Sequence, residues 1–302
     1  MASLVPSFSG GKDSTYLVLR LHELGIKVAD IVCFDTGWEF PQMEEHIAQV
    51  EDVIKRKITV LKPRESFDFL FGQRIKSRSK TSRLPGYGWA TMRTRWCTAE
   101  KRRAMAAYAT ALTWRGLQLP IVQSIGYAAD ELGRVAKHVN KPRPQFQNFS
   151  FPLVEWGITE ADALAYCTQR GFTWNGLYEI FDRVSCSLCP LGGISRAEKI
   201  YKHFPHIWQR MLEMDSWLPE DHPGKKYTGK YTVADLDKRF SDETKRLQQG
   251  RLPGMDTERH LFEQQKCCPK WCPCSSANIP IEHGSESCFA TQKYYRGLQC
   301  LL

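Results

Sequence analysis

Along the first two-thirds of the chain, short apolar runs alternate with segments whose apolar residues recur every three or four positions. The runs at 4–8 (LVPSF), 28–34 (VADIVCF), 58–62 (ITVLK), 119–127 (LPIVQSIGY) and 148–156 (NFSFPLVEW) predict buried strands. Residues 13–24, with Leu17, Leu21 and Leu24 at helical spacing, predict a helix that Gly25 closes. The same periodicity predicts helices at 43–57 (MEEHIAQVEDVIKRK), 99–112 (AEKRRAMAAYATAL) and 158–171 (ITEADALAYCTQRG). In the last, Thr159 is the expected N-cap and Gly171 the stop. Strands alternating with helices predict an α/β fold with a mostly parallel sheet and right-handed crossovers.

The pattern breaks at 72–98, a basic stretch rich in Ser, Thr and Gly. It changes again near residue 195, where charged helical sequence with several Trp begins. From Lys266 the chain is Cys-rich without periodicity. Three parts follow: an α/β domain over 1–193, a helical region over 194–265 and a Cys-rich tail over 266–302.

The 302 residues are 42% hydrophobic, which supports a substantial core. No run of 18 apolar residues is present, so no membrane partner is expected. The N-terminus lacks the basic and apolar stretches of a secretory signal, and a cytoplasmic location is the expectation. Eleven cysteines in such a chain are expected to be reduced, with metal binding or catalysis for those that cluster. The net charge of +9 favours anionic partners, nucleotides or nucleic acid.

Ser9-Gly10-Gly11-Lys12-Asp13-Ser14 lies between the first strand and the first helix. Glycines let backbone N–H groups approach a phosphate, and the helix N-terminus adds partial positive charge. Lys12 adds a full charge; Ser9 and Ser14 add hydroxyls. The spacing is not that of a Walker loop, which has four residues between its first Gly and its Gly-Lys pair. The alternative is an ordinary glycine turn with an N-cap.

SFSGGKDS (7–14) resembles the pyrophosphate-binding loop of the PP-loop ATP pyrophosphatases. Within that superfamily the chain resembles the phosphoadenosine phosphosulfate reductase family. The likeness recurs in order through FDTGWEFPQ (34–42), RTRWCTAEKRR (93–103), IGYAADELGR (125–134), FPLVEW (151–156) and LYEIFDRVSCSLCP (177–190). It implies a doubly wound sheet with ATP and Mg²⁺ at the carboxyl ends of the strands, where an open α/β sheet binds its ligands. Asp35 and Thr36 then stand at that rim, where Asp35 would hold Mg²⁺ or orient substrate. Turn formation before Gly37 is the alternative for Asp35. Asp130, Glu131 and Arg134 follow the fourth strand, and the resemblance makes Gly126, at the end of that strand, a nucleotide-binding residue as well. Arg134 is a candidate oxyanion clamp, with a surface ion pair as its alternative. The implied reaction is attack of a substrate oxygen on the ATP α-phosphate, with pyrophosphate leaving.

The same resemblance implies a metal site at Cys97, Cys186 and Cys189. Trp96 replaces one member of the Cys-Cys pair that some reductases use for a 4Fe–4S cluster. Three thiolates suit a 4Fe–4S cluster with an open iron, or zinc with a fourth ligand; unmetallated thiols are the alternative. Cys33 and Cys167 read as core residues. The tail holds Cys267, Cys268, Cys272, Cys274, His283 and Cys288, in no standard finger spacing. The reductase signature Glu-Cys-Gly is missing; Glu286-Ser287-Cys288 only echoes it.

Basic loop 73–95 carries Arg74, Lys76, Arg78, Lys80, Arg83, Arg93 and Arg95, with Tyr87, Trp89 and Trp96 interleaved or adjacent. Cations with aromatics suit a nucleic-acid strand, though they suit a nucleotide equally, and a solvated loop is the plain alternative. Three functions follow: an adenylating ATP pyrophosphatase in sulfur-transfer or nucleic-acid modification, a thiol-dependent sulfonucleotide reductase, and a non-catalytic nucleotide-binding regulator.

Overall fold

A computed structural model of the chain describes residues 3–74, 85–117, 120–139, 147–184 and 186–248. The first element, β1 (Ser3–Phe8), runs through the glycine loop into α1 (Lys12–Glu23). β2 (Val32–Phe34), α2 (Gln42–Ile54), β3 (Thr59–Leu61) and α3 (Phe67–Gly72) follow. Next come α4 (Trp96–Trp114), β4 (Ile121–Ile125), α5 (Leu132–Val139) and β5 (Gln147–Ser150). Then α6 (Pro152–Glu155), α7 (Glu160–Gln169) and α8 (Leu177–Ile180) lead to α9 (Gly193–His203), α10 (Pro205–Ser216) and α11 (Val233–Gln248).

The strands pair in the order β3-β2-β1-β4-β5, every pair parallel. Helix α4 covers one face: Leu112, with Met105 and Tyr108, packs on Val5, Val32 and Ile121. The other face lies under α1, α2 and α7, with Leu17, Leu21, Val50, Ile54, Ala163 and Cys167 in one core. Helices on both faces make the sheet doubly wound. The chain winds outward from β1 through β2 to β3, then returns to place β4 on the other side of β1. By its topology that switch point, at the carboxyl ends of β1 and β4, is where an open α/β sheet forms its ligand crevice. Ser7 is paired with Ile125, so Ser9 and Gly126 leave the sheet side by side.

Local chemistry explains where elements stop. Residues 28 and 29 do not continue into β2: the Arg56 guanidinium takes the carbonyls of Val28 at 2.8 Å and Ala29 at 2.5 Å. Helix α2 ends earlier than the apolar pattern suggests, at Lys55 in the left-handed region (φ 52°). The run at 148–156 is two elements, because Pro152 at the first helical turn converts its second half into α6. Helix α7 has a capping box: Thr159 accepts from the Asp162 amide, and Asp162 accepts from the Thr159 amide. Gly171, at φ +83°, closes that helix.

The chain divides into two compact units, one of residues 2–240 and another beginning at Ser241. In the first, Ile200, Ile207, Met211 and Met214 of α9 and α10 share the core with Phe40 and Trp89. The Trp89 amide donates to the Gly224 carbonyl at 2.8 Å. A Cβ on Gly224 would stand 2.4 Å from the Tyr87 carbonyl oxygen, so these backbones touch only because glycine is there. No helix among the described residues is long and apolar enough to cross a membrane. Lys76, Arg78, Lys80, Arg83 and the Cys-rich tail lie outside the described residues.

Candidate functional site

The glycine loop occupies the crevice at the switch point. Gly10 has φ +75°, a conformation that side chains resist. A Cβ on Gly126 would meet the Asp13 carbonyl oxygen at 2.9 Å and the Ser14 amide at 3.1 Å. Gly126 thus lets the end of β4 lie directly against the first turn of α1. Within the loop, the Ser9 amide donates to Ser14 Oγ at 3.1 Å, and the two serine hydroxyls are 3.0 Å apart. Ser14 Oγ also reaches the Gly11 carbonyl at 3.0 Å, which closes the turn from inside.

Residues distant in sequence hold this loop from behind. Trp174 Nε1 donates to the Gly10 carbonyl at 2.7 Å, and the Lys12 amide donates to the Tyr178 hydroxyl at 2.8 Å. Cys167 Sγ lies 3.6 Å from the Lys12 carbonyl. Below the loop, Thr15 Oγ1 pairs with His46 Nε2 at 2.8 Å. Burial pulls the His46 imidazole down to about 3, so it is neutral.

Lys12 is not projected into solvent. It is 4% exposed, and its ammonium meets Glu160 at 2.6 Å and Asp13 at 3.7 Å. The Asp13 carboxyl is pushed up to about 6: burial is the largest cause, Lys12 opposes it, and Glu160 and Glu131 add to it. Asp13 Oδ1 is buried without a hydrogen-bond partner. Burial raises the Glu160 carboxyl, but its hydrogen bond and charge contact with Lys12, helped by a hydrogen bond with Glu131 and the charge of Arg183, leave it lowered.

The segment after β4 closes the same cluster. Asp130 accepts the Glu160 amide at 3.2 Å and so caps α7. Arg134 pairs with Glu131 and lies over the Tyr127 ring, 4.4 Å from its centroid. Arg183 joins Glu131 at 3.5 Å. In this conformation Arg134 is therefore in the ion pair that was its alternative reading. Asp35 is likewise the turn former: Oδ1 accepts the Gly37 amide at 2.7 Å and Oδ2 lies 3.7 Å from Lys62.

A second cluster forms around Thr36. Its hydroxyl donates to Glu39 Oε1 at 2.8 Å and lies 3.7 Å from Cys186 Sγ, while the Cys186 thiol reaches the same Glu39 oxygen at 3.5 Å. Burial, then Glu39 and Cys189, pushes the Cys186 thiol well up. Burial, then Cys189, also raises the Cys97 thiol. The Cys186–Cys189 turn is fixed by the Cys189 amide on the Cys186 carbonyl and by the Tyr227 hydroxyl on the Cys189 carbonyl. Among the described residues, no three His, Cys, Asp or Glu side chains converge to hold a metal ion. Cys33 and Cys167 are buried, and burial raises their thiols to about 11 and about 12.

The basic stretch requires a correction. Trp89 and Trp96 are core residues, not a platform for stacked bases. Trp89 is 1% exposed and its indole N–H donates to buried Asp215; Trp96 donates to the Gly88 carbonyl and packs edge-on against Trp38. Tyr87 stacks on Trp96 at 5.6 Å. Exposed charge remains at Arg93, Arg95, Lys101 and Arg102. Sequence reasoning missed Glu39, Glu160, Tyr178 and Trp174 as site residues. Only position pointed to Glu160, as the first residue after a capped helix start.

Comparison with known proteins gives a match to the phosphoadenosine phosphosulfate reductase domain over residues 3–191. An uncharacterized protein of Methanocaldococcus jannaschii is 27% identical over 219 residues, covering 72% of this chain and 42% of the relative. The chain thus spans about two-fifths of the length of the curated relative it matches. Among solved structures, phosphoadenylyl-sulfate reductase from Candida auris in a phosphate complex is 16% identical. That alignment covers 60% of this chain and 78% of that one, with a TM-score of 0.40. The U34-tRNA thiolase NcsA from Methanococcus maripaludis, with its [4Fe-4S] cluster, is 12% identical over 80% of this chain and 72% of that one, with a TM-score of 0.39.

Proposed function

This chain belongs to the phosphoadenosine phosphosulfate reductase domain family, and from that premise we propose that it binds ATP at the glycine loop and adenylates an acceptor in sulfur-transfer or nucleic-acid modification. The observation that carries the reading is the contact between Gly126 and the Asp13–Ser14 backbone beside a positive-φ Gly10. Gly126 lets β4 pack against the first turn of α1 and Gly10 shapes the loop, at the switch point and helix N-terminus where an open α/β sheet binds an anion.

In the reaction, an acceptor oxygen attacks the α-phosphorus. A new O–P bond forms, the bond to the β-phosphate oxygen breaks, and pyrophosphate leaves with the electron pair. The acceptor proton passes to water. The loop's contribution is electrostatic, through the Gly10 and Gly11 amides, the Ser9 and Ser14 hydroxyls and the Lys12 ammonium. Arg134 would join the phosphates by leaving Glu131. Mg²⁺ would neutralise triphosphate charge, and Asp13, with its unpartnered buried oxygen, fits that role alongside Asp35. Thr36 and Asp130 act as positioning groups. Exposed Arg93, Arg95, Lys101 and Arg102 favour an anionic acceptor such as a nucleic acid.

Thiolates such as Cys97, Cys186 and Cys189 are of the soft class that takes a 4Fe–4S cluster or zinc, but among the described residues their side chains do not converge as a cage, so as placed they do not fit either group.

The test is product analysis after incubating the full chain with ATP and candidate acceptors, including tRNA. AMP-linked acceptor and pyrophosphate are expected. Orthophosphate release, or thioredoxin-dependent sulfite release from phosphoadenosine phosphosulfate, would overturn the reading.

A further inference from the structure

We propose that Glu160 is an internal anion that competes with phosphate for Lys12 and thereby sets the affinity of the site for polyphosphate ligands. The inference rests on the nucleotide-binding reading of the loop. Lys12 is the cation of the glycine loop, yet its ammonium is buried and donates to Glu160 at 2.6 Å. That contact is a short charge-assisted hydrogen bond of the kind a phosphate oxygen would make.

The placement of Glu160 is determined from several sides. It is the first residue of α7, whose start is fixed by the Thr159–Asp162 capping box. Its amide is held by Asp130, from the segment after β4. The Ala129 amide donates to the Ile158 carbonyl at 2.7 Å, which ties the two segments together just before it. The helix N-terminus favours a carboxylate at this position. Glu160 keeps a third of its side chain in water, whereas Lys12 keeps 5%. The glutamate can therefore swing outward, while the lysine can only exchange partners.

A polyphosphate entering the crevice takes Lys12 from Glu160, and the carboxylate returns to solvent. Apparent affinity is then the intrinsic affinity multiplied by the fraction of molecules in which Lys12 is released. Ligands that bear no phosphate do not contest the pair. The residue thus acts on the phosphate part of the ligand and leaves recognition of the base untouched.

The full chain is titrated with ATP, inorganic pyrophosphate and adenosine, in wild type, Glu160→Gln and Glu160→Asp, and each is also melted without ligand. Glu160→Gln removes the charge at constant shape; Glu160→Asp keeps the charge but shortens its reach. Both variants are expected to melt lower without ligand and yet to bind ATP and pyrophosphate tighter, by about tenfold for Glu160→Gln. Adenosine binding should not move. A merely structural glutamate would lower stability and affinity together, and that result would overturn the proposal. Unchanged ATP affinity in both variants, with wild type binding ATP, would also overturn it. No ATP binding by any of the three would instead overturn the nucleotide reading beneath it.

Discussion

Replacing Lys12 by Met keeps an unbranched apolar stem and removes the charge. Here the side chain is 5% exposed and faces Glu160 at 2.6 Å and Asp13 at 3.7 Å. Exposed ion pairs contribute at most about 1 kcal/mol, whereas breaking a fully buried pair costs about 3–5 kcal/mol. Glu160 is one-third exposed and Asp13 about one-sixth, so the cost falls between these limits, at about 2 kcal/mol near neutral pH. The pH dependence follows from Asp13. Its carboxyl titrates at about 6 in the fold, against 3.8 ordinarily. The folded state therefore holds that proton more tightly, and Asp13 subtracts stability as pH rises from about 4 to about 6. Without Lys12 its carboxyl moves further up, so the Met variant pays most above pH 6 and least where Asp13 is protonated in both proteins. Urea unfolding of the two full chains at pH 5 and pH 8, compared at equal m-value, reads this directly. A cost of about 2 kcal/mol at pH 8 that shrinks at pH 5 is expected. Equal stability at both pH values, or a cost that grows toward acid, would refute the buried-pair reasoning.

Gly126→Ala should act through the loop backbone, because its Cβ would stand 2.9 Å from the Asp13 carbonyl oxygen and that atom has no side-chain freedom to yield. A destabilisation of about 1–3 kcal/mol, with loss of ATP affinity, is expected by thermal melting and titration; retained affinity would show that the close approach of β4 to α1 does not shape the anion site. His46 is held down to about 3 by burial, so its contribution to stability is complete above pH 6.5 and disappears as pH falls toward 3. That displacement is worth up to about 5 kcal/mol, and His46→Gln should flatten the acid limb of stability measured by urea unfolding between pH 7 and pH 4.

Much of the fold was legible because the interactions that make its elements are short-range. The capping box at Thr159, the left-handed Gly171 and the strand–loop–helix at Ser9–Ser14 each involve residues within a few positions of one another. The strand at 28–34 was overestimated for the opposite reason: Arg56, far along the chain, takes the carbonyls that a strand would have used. The aromatic residues near the basic loop misled for a similar reason. A tryptophan beside arginines looks like a stacking surface until Asp215, 126 residues away, is found accepting its indole proton.

By itself the amino-acid sequence determined the alternation of strand and helix, the glycine loop at the end of the first strand and the family to which the chain belongs. Those properties follow from periodicity, turn chemistry and residue identity in short windows. Only the tertiary structure decided what the loop's charged groups do. Lys12 meets Glu160 across 148 positions, its amide meets Tyr178 across 166, and Glu39 meets Cys186 across 147. Contacts of that range depend on how α1, α7 and the Cys186–Cys189 turn pack on a sheet whose order reverses between β1 and β4. The electrostatics of a buried lysine are set by the carboxylates that packing brings to it, which is why the partner of Lys12 becomes visible only in the folded chain.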